Sequence, residues 1–250
     1  RVVGPDASPA VEVPSSEFVQ GRATVTLNYF RAGAVRISAE LASGRGGKNI
    51  RSTSNPVEIL PGALHDFNLT APVQARAGTP FRLTMSARDA FGNVITDYSR
   101  VGGGVNIHSS GIGEVQPTQI SASGFINGIA QVDLRTYAAE RIVLTAGERF
   151  GSASGKSGQI RIDAGPLSHF LVSVAPKVFA GEPFPVRVEA QDIHYNIIRD
   201  FSVPGRIRIR TSGPGKITPG DLSSADFSDG VAVIPATVTS SGMQEILVEP

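Results

Sequence analysis

Phe81-Arg-Leu-Thr-Met-Ser-Ala-Arg-Asp-Ala-Phe-Gly-Asn-Val-Ile-Thr-Asp-Tyr98 is the stretch that decides the fold, because its second half is written twice in the chain. Ala87-Arg-Asp-Ala-Phe-Gly-Asn93, followed by Asp97 and Tyr98, matches Ala190-Gln-Asp-Ile-His-Tyr-Asn196, followed by Asp200 and Phe201. Upstream, Val57-Glu-Ile-Leu-Pro-Gly-Ala-Leu-His-Asp-Phe67 lies over Ile160-Arg-Ile-Asp-Ala-Gly-Pro-Leu-Ser-His-Phe170 at the same offset of 103 residues. A further segment occurs three times, as Phe18-Val-Gln-Gly-Arg-Ala-Thr-Val-Thr-Leu27, Phe125-Ile-Asn-Gly-Ile-Ala-Gln-Val-Asp-Leu134 and Phe227-Ser-Asp-Gly-Val-Ala-Val-Ile-Pro-Ala236. A unit of about 100 residues is the length of one small sandwich domain and exceeds the roughly 20–45 residues of a solenoid repeat.

The complete copy reads as seven strands bounded by turn residues. They are expected at Asp66 to Ala77, Pro80 to Asp89, Val94 to Ser110 with a break at Gly102-Gly-Gly104, Glu114 to Ser123, Gly128 to Thr136, Arg141 to Glu148, and Gly158 to Ala164. Strands at such spacing are the pattern of an immunoglobulin-like sandwich. In Gly128 to Leu134 the residues Ala130, Val132 and Leu134 alternate with Ile129, Gln131 and Asp133, which predicts one core face and one wet face. The first copy keeps that phase, with Ala23, Val25 and Leu27 inward. No stretch carries a 3.6-residue apolar period, so helix is expected to be nearly absent.

Composition narrows the function. The chain has 250 residues, 40% of them hydrophobic, too apolar for disorder. With 23 basic against 22 acidic residues its net charge is +1, which provides no field for nucleic acid or an anionic membrane. No apolar run is long enough to span a bilayer, and Arg1 opens no signal peptide, so a soluble piece that was processed or cut from something longer is expected. Zero Cys removes disulfides, thiolate metal sites and thiol catalysis together.

The Phe81 to Tyr98 stretch resembles the bacterial Ig-like repeats of invasin- and intimin-type adhesins and of many giant surface proteins, in which an Asp-Ala-(Phe/Tyr)-Gly-Asn turn follows the second strand. The resemblance covers both larger copies and, through the tail segment, the opening 60 residues. It implies rods, stalks and lattices outside the cytoplasm, in some cases with a receptor-binding tip. Nothing in this chain resembles such a tip. The later copy departs at Ile193-His-Tyr195, where Tyr195 replaces the turn glycine, so a turn of different shape is expected there.

The expected fold is therefore all-β, a tandem of Ig-like sandwiches forming an extended rod. Residues 1–62 are expected to supply the later strands of one repeat, 63–166 a complete repeat, and 167–250 a repeat lacking its last strand. This frame reads as a window from a longer array, with strand exchange between chains as the rival. About three residues, Pro61-Gly62-Ala63 or Ala164-Gly165-Pro166, connect one repeat to the next, too few for a flexible linker. Leu64 and Leu167 are expected to pack at these boundaries.

Asp89, Asn93 and Asp97, repeated as Asp192, Asn196 and Asp200, are the chief chemical candidates. Oxygen side chains grouped near one turn suit Ca2+, which takes six to eight oxygens. The same residues also fold back onto turn N–H groups, and this reading ranks first. Arg206, Arg208 and Arg210 alternate with Ile207 and Ile209, which puts three guanidinium groups on one strand face, either solvated or in contact with an acidic polymer or protein. Of the four histidines, His65, His108, His169 and His194, none forms a metal-binding pair. Gly151-Ser-Ala-Ser-Gly-Lys-Ser157 has one residue too few for a phosphate loop and reads, like Gly44-Arg-Gly-Gly-Lys48, as a mobile hairpin loop.

No catalytic constellation and no cofactor is expected, calcium being the one candidate. The leading expectation is a non-enzymatic extracytoplasmic segment of a bacterium, at the cell surface or in the periplasm. It would serve as stalk, spacer, or lattice or filament component, with neighbouring repeats of the same or identical chains as partners. An adhesin segment that touches a host receptor or polymer through its loops or the Arg206 face is the alternative, and accessory domains of a secreted hydrolase are a third reading. Neither nucleic acid nor membrane insertion is expected.

Overall fold

In the computed structural model, which describes residues 2–3, 11–41 and 50–249, the chain is almost entirely β. The opening region holds short strands: β1 (Val2–Val3), β2 (Gly33–Val35), β3 (Ser38–Glu40), β4 (Arg51–Thr53) and β5 (Val57–Ile59). β3 lies between β1 and β4, and β2 pairs with β5. Ala23 and Val25 are half-buried as the alternation expects, but Leu27 is exposed and none of the three is in a strand. No strand described in this region lies over them, so alternation alone does not make a ladder. Among the described residues no helix is long and apolar enough to cross a membrane.

The middle region contains β6 (Leu64–Thr70), β7 (Gln74–Arg76), β8 (Phe81–Asp89), a helical turn α1 (Tyr98–Val101), β9 (Val105–Ser109), β10 (Gln119–Ile120), β11 (Ile129–Leu134), β12 (Arg141–Glu148) and β13 (Ser154–Asp163). The strands run β10-β9-β12-β13-β6-β8-β11 with β7 also on β13, and the parallel pairing of Ser154 on β13 with Asp66 on β6 joins the β6-β8-β11 face to the β10-β9-β12-β13-β7 face. The first strand is not continuous to Ala77 as expected. It leaves β8 after Thr70 and rejoins, parallel to β13, at Gln74, so one strand serves both sheets. Counted this way there are seven strands in Ig-like order.

Three other expectations change in detail. Val94 to Ser110 is strand only from Val105, because the chain turns through α1 to bury Tyr98 against Phe67 and Phe125. From Glu114 to Ser123 only Gln119 and Ile120 form a strand. The segment read as a mobile loop at Gly151 to Ser157 is largely strand, since β13 begins at Ser154. The Ser157 hydroxyl accepts the Leu144 N–H at 2.9 Å, beside the register shift between Val143 and Thr145. A serine there satisfies the donor that the shift in β12 leaves unpaired. The companion loop at Gly44 to Lys48 lies outside the described residues.

The last region repeats the plan with β14 (His169–Val174), β15 (Phe184–Gln191), β16 (Ile207–Thr211), β17 (Ile217–Thr218), β18 (Asp221–Leu222), β19 (Val231–Val238) and β20 (Ile246–Glu249). Its faces are β14-β15-β19-β17 and β18-β16-β20. Each of the two regions has its own core. Leu83, Met85, Ile107, Leu144 and Ile160 centre the first, and Val186, Val188, Ile207 and Ala232 the second. Aromatic triads recur in register, Phe67–Tyr98–Phe125 and Phe170–Phe201–Phe227, and each of the enclosed rings of the first contributes about 1.5–3 kcal/mol. Leu64 and Leu167 pack against the core that follows each joint.

The thrice-repeated segment is a two-residue hairpin turn. Gln20-Gly21, Asn127-Gly128 and Asp229-Gly230 all have positive φ at both residues, the geometry of a type I′ turn. Glycine is required at 128 and 230, where a Cβ would lie 2.5 Å from the Ile95 carbonyl oxygen and 2.3 Å from that of Ile198.

Candidate functional site

Asp89 ends β8 and is buried, and its carboxylate organises the following turn. One oxygen accepts the N–H groups of Phe91 and Asn93, each at 2.9 Å. The other accepts the Asn93 amide at 2.8 Å and the N–H of Gly62, in the connection from the preceding region, at 2.8 Å. Burial alone would raise this carboxyl's pKa. The bond from the Asn93 side chain and those from the backbone of Gly62, Asn93 and Phe91 together outweigh it and bring the value to about 2.

Asn93 extends the clasp to the opening region. Its Nδ2 also donates to the Phe30 carbonyl at 2.7 Å, and its Oδ1 accepts the Ala32 N–H at 2.9 Å. Both ends of the amide are thus used, and its orientation is fixed because Nδ2 faces acceptors while Oδ1 faces a donor. Phe30 packs on Phe91 with ring centroids 4.7 Å apart.

The second joint repeats this bond for bond. Asp192 accepts the N–H groups of His194, Asn196 and Gly165 and the Asn196 amide, at 2.7 to 2.9 Å. Asn196 donates to the Tyr137 carbonyl at 2.7 Å and accepts the Ala139 N–H at 2.8 Å. Burial opposes ionisation of Asp192 too, and the same set of bonds holds its pKa below the usual carboxylate value. Tyr137 packs on His194 at 4.7 Å, as Phe30 does on Phe91.

The expected difference in turn shape is absent. Tyr195 takes φ of 65°, close to the 82° of Gly92, and its N–H reaches the Asp192 carbonyl just as that of Gly92 reaches Asp89. A left-handed tyrosine costs about 1–2 kcal/mol. The bonds to Asp192 offset this, and the Tyr195 ring rests edge-on against His169 at 5.2 Å.

The remaining candidates lie apart from the clasps. Asp97 pairs with Arg100 at 2.7 Å, and Asp200 is exposed on a cleft of about 520 Å³ shared with Arg141, Arg161 and Arg199. Among the described residues no three His, Asp or Glu side chains converge as a cation site requires. Arg206 pairs with Asp221 at 3.3 Å and Arg210 with Glu249, while Arg208 sits between them, its Cα register partners being Asp221 and Glu249. His65 and His108 are exposed. The sequence reading missed the partners Phe30–Ala32 and Tyr137–Ala139, which act through their backbone. An aromatic-x-Ala pattern at both places was the only available signal.

No protein-family model and no curated protein matches the chain. Among solved structures, domains 1–6 of the surface layer protein SbsC are similar at 16% identity and a TM-score of 0.30, over 88% of this chain and 29% of that one. The Yersinia pseudotuberculosis adhesin InvE is similar at 16% identity and a TM-score of 0.35, over 73% of this chain and 58% of that one. Bacteroides uniformis beta-glucuronidase 3 is similar at 10% identity and a TM-score of 0.25, over 73% of this chain and 24% of that one. The chain thus spans less than two thirds of the length of each of these structures. At such identities a likeness concerns fold and not function. The strand order itself makes the middle and last regions immunoglobulin-like sandwiches, each joined to what precedes it by the same Asp-Asn clasp.

Proposed function

We propose that the chain is a non-enzymatic spacer, a stiff segment of an extracytoplasmic bacterial stalk, lattice or filament. The observation that carries this reading is the repeated clasp. At each joint six hydrogen bonds tie together three things: the connecting glycine, the turn after the second strand, and backbone of the preceding region. The four bonds to the Asp89 carboxylate are charge-assisted and so stronger than neutral ones, and a connection of a few residues adds no slack. Torque at one sandwich is then passed to the next, which is what a spacer requires. The surface setting follows the resemblance of the repeated turn to adhesin and surface-protein repeats.

Small-angle scattering tests the reading. At roughly 35–45 Å per sandwich, the chain is expected to reach a maximum dimension of about 100 Å. Asn93→Ala with Asn196→Ala is expected to broaden the distance distribution while both sandwiches stay folded. A compact particle of about 60 Å would reject the spacer.

A contact role for the Arg206 face is the second reading, favoured by Arg208, which is exposed and lies between two paired arginines. Its ligand would be an acidic polymer or an acidic protein surface.

A further inference from the structure

The two joints share one clasp but differ in what surrounds it. Beside the second joint, where the middle sandwich meets the last, lies a cleft of about 520 Å³. Its charged lining is Glu140, Arg141 on β12, Arg161 and Asp163 on β13, and Arg199 and Asp200 from the segment after β15. All three arginines are exposed. At the first joint the equivalent positions hold Ala34, Glu58 and Thr96. Register fixes the equivalence: Ala34 pairs with Glu58 two residues beyond the clasp partner Ala32, as Arg141 pairs with Arg161 two residues beyond Ala139. Thr96 and Arg199 each stand three residues after the clasp asparagine. The first clasp forms with none of these cations, so holding a joint does not require them.

Their placement also carries a cost. Arg141 and Arg161 are directly opposed on adjacent strands, and like charges so placed repel. Asp163 pairs with Arg161 at 2.9 Å and answers one charge of the three. Glu140 is committed elsewhere, its two oxygens accepting the N–H groups of Ile112 and Gly113 at 3.0 and 2.8 Å. The side chains of Arg141, Arg199 and Asp200 make no hydrogen bond or ion pair among the described residues. Three cations from two sandwiches that meet in one cleft, against local repulsion and without a part in the clasp, mark a site for an anionic group.

The acidic residues narrow its chemistry. Three guanidinium groups face three carboxylates, so the cleft has no net field and a densely charged polyanion gains little from it. What it offers is separate groups: guanidinium forks that take a single carboxylate bidentately, and the Asp200 carboxylate, which accepts hydroxyl donors. Sugar acids carry both functions, and the volume lies within the roughly 300–1,000 Å³ of ligand sites. We propose that the cleft at the second joint binds a carboxylate-bearing oligosaccharide. Arg141 and Arg161 take the carboxylate, which relieves their repulsion, while Arg199 and Asp200 of the next sandwich hold the neighbouring sugar oxygens. The site does not depend on the spacer reading: scattering from the chain tests stiffness, and binding tests the cleft, so either can fail alone.

Calorimetric titration of the whole chain with tetragalacturonate is the test, and saturable binding that raises the melting temperature is expected. Arg141→Ala with Arg199→Thr installs the residues of the first joint. This variant is expected to melt no lower than wild type without sugar, because the opposed pair is gone, and to bind about tenfold more weakly or worse. Asp200→Ala is expected to weaken binding about threefold by removing a hydroxyl acceptor. Arg208→Glu is expected to leave binding unchanged. A chain that does not bind the tetragalacturonate overturns the proposal, as does binding that survives the Arg141 and Arg199 changes or is lost with Arg208→Glu. Equal binding of the fully methyl-esterified sugar would overturn carboxylate recognition. Tighter binding after Asp200→Ala, or equal binding of an oligoglutamate peptide, would assign the cleft to acidic groups alone and overturn the sugar as its ligand.

Discussion

The middle and last sandwiches share strand order, aromatic triad, hairpin turn and clasp, yet differ in how tightly their sheets close. Ile142, Leu144 and Ala146 on β12 are at most 1% exposed. Their counterparts by register, Gln244, Ile246 and Val248, are only half-buried. The change is traced to β13, which covers β12 and has no counterpart over β20 among the described residues. Burial of an edge strand is set by its neighbour as much as by its own residues, and the glutamine at 244 sits where the closed sandwich has isoleucine.

The sharpest way to break the comparison is to truncate equivalent residues. Leu144→Ala is expected to lower stability by about 4 kcal/mol, because the site is enclosed and leaves a cavity. Ile246→Ala is expected to cost about 1 kcal/mol, since that side chain is only partly enclosed. Chemical denaturation with the two sandwiches resolved measures both, and equal costs would mean that β20 is as enclosed as β12 in solution.

The clasps sharpen the comparison from the other side, because there the two joints are alike. Asp89→Ala and Asp192→Ala are each expected to cost about 3 kcal/mol by stranding several buried N–H donors. Similar losses at both positions are the expected result of a denaturant series. Acid should act on the same groups. The folded pKa of Asp89, about 2, lies below the unfolded 3.8, so its contribution is complete above about pH 4 and fades as pH falls toward 2. The denaturation midpoint of the wild-type chain should drop over that window, and Asp89→Ala should flatten the drop.

The smallest effect is expected on the Arg206 face. Arg208→Glu should change stability by less than about 0.5 kcal/mol, as exposed charges do. Thermal melts check this, and pull-down on an acidic polymer before and after the change tests whether the face makes contacts.

Much of the fold was legible. Alternation at Ile129 to Leu134 placed the wet and buried faces correctly, and the repeat offset brought Tyr98 and Phe201 into equivalent places. Local pattern failed where tertiary contact overrules it. Val94 to Tyr98 is as strand-like in composition as its neighbours but turns away to bury an aromatic ring, and Ser154 to Ser157 looks like a loop yet completes a strand against β12. At the site, Asp89, Asn93, Asp192 and Asn196 stood out because side-chain chemistry repeats. Their partners at Phe30 to Ala32 and Tyr137 to Ala139 did not, because a main-chain carbonyl is the same in every residue.

The sequence by itself determined the sandwich architecture, the length of the repeat and the residues that shape each turn, since all three rest on periodicity and on the side-chain chemistry of short segments. Only the tertiary structure decided that the Asp-Asn turn is also the joint. The joint depends on backbone groups far apart in the chain meeting across space, and a main-chain group has the same chemistry whichever residue carries it.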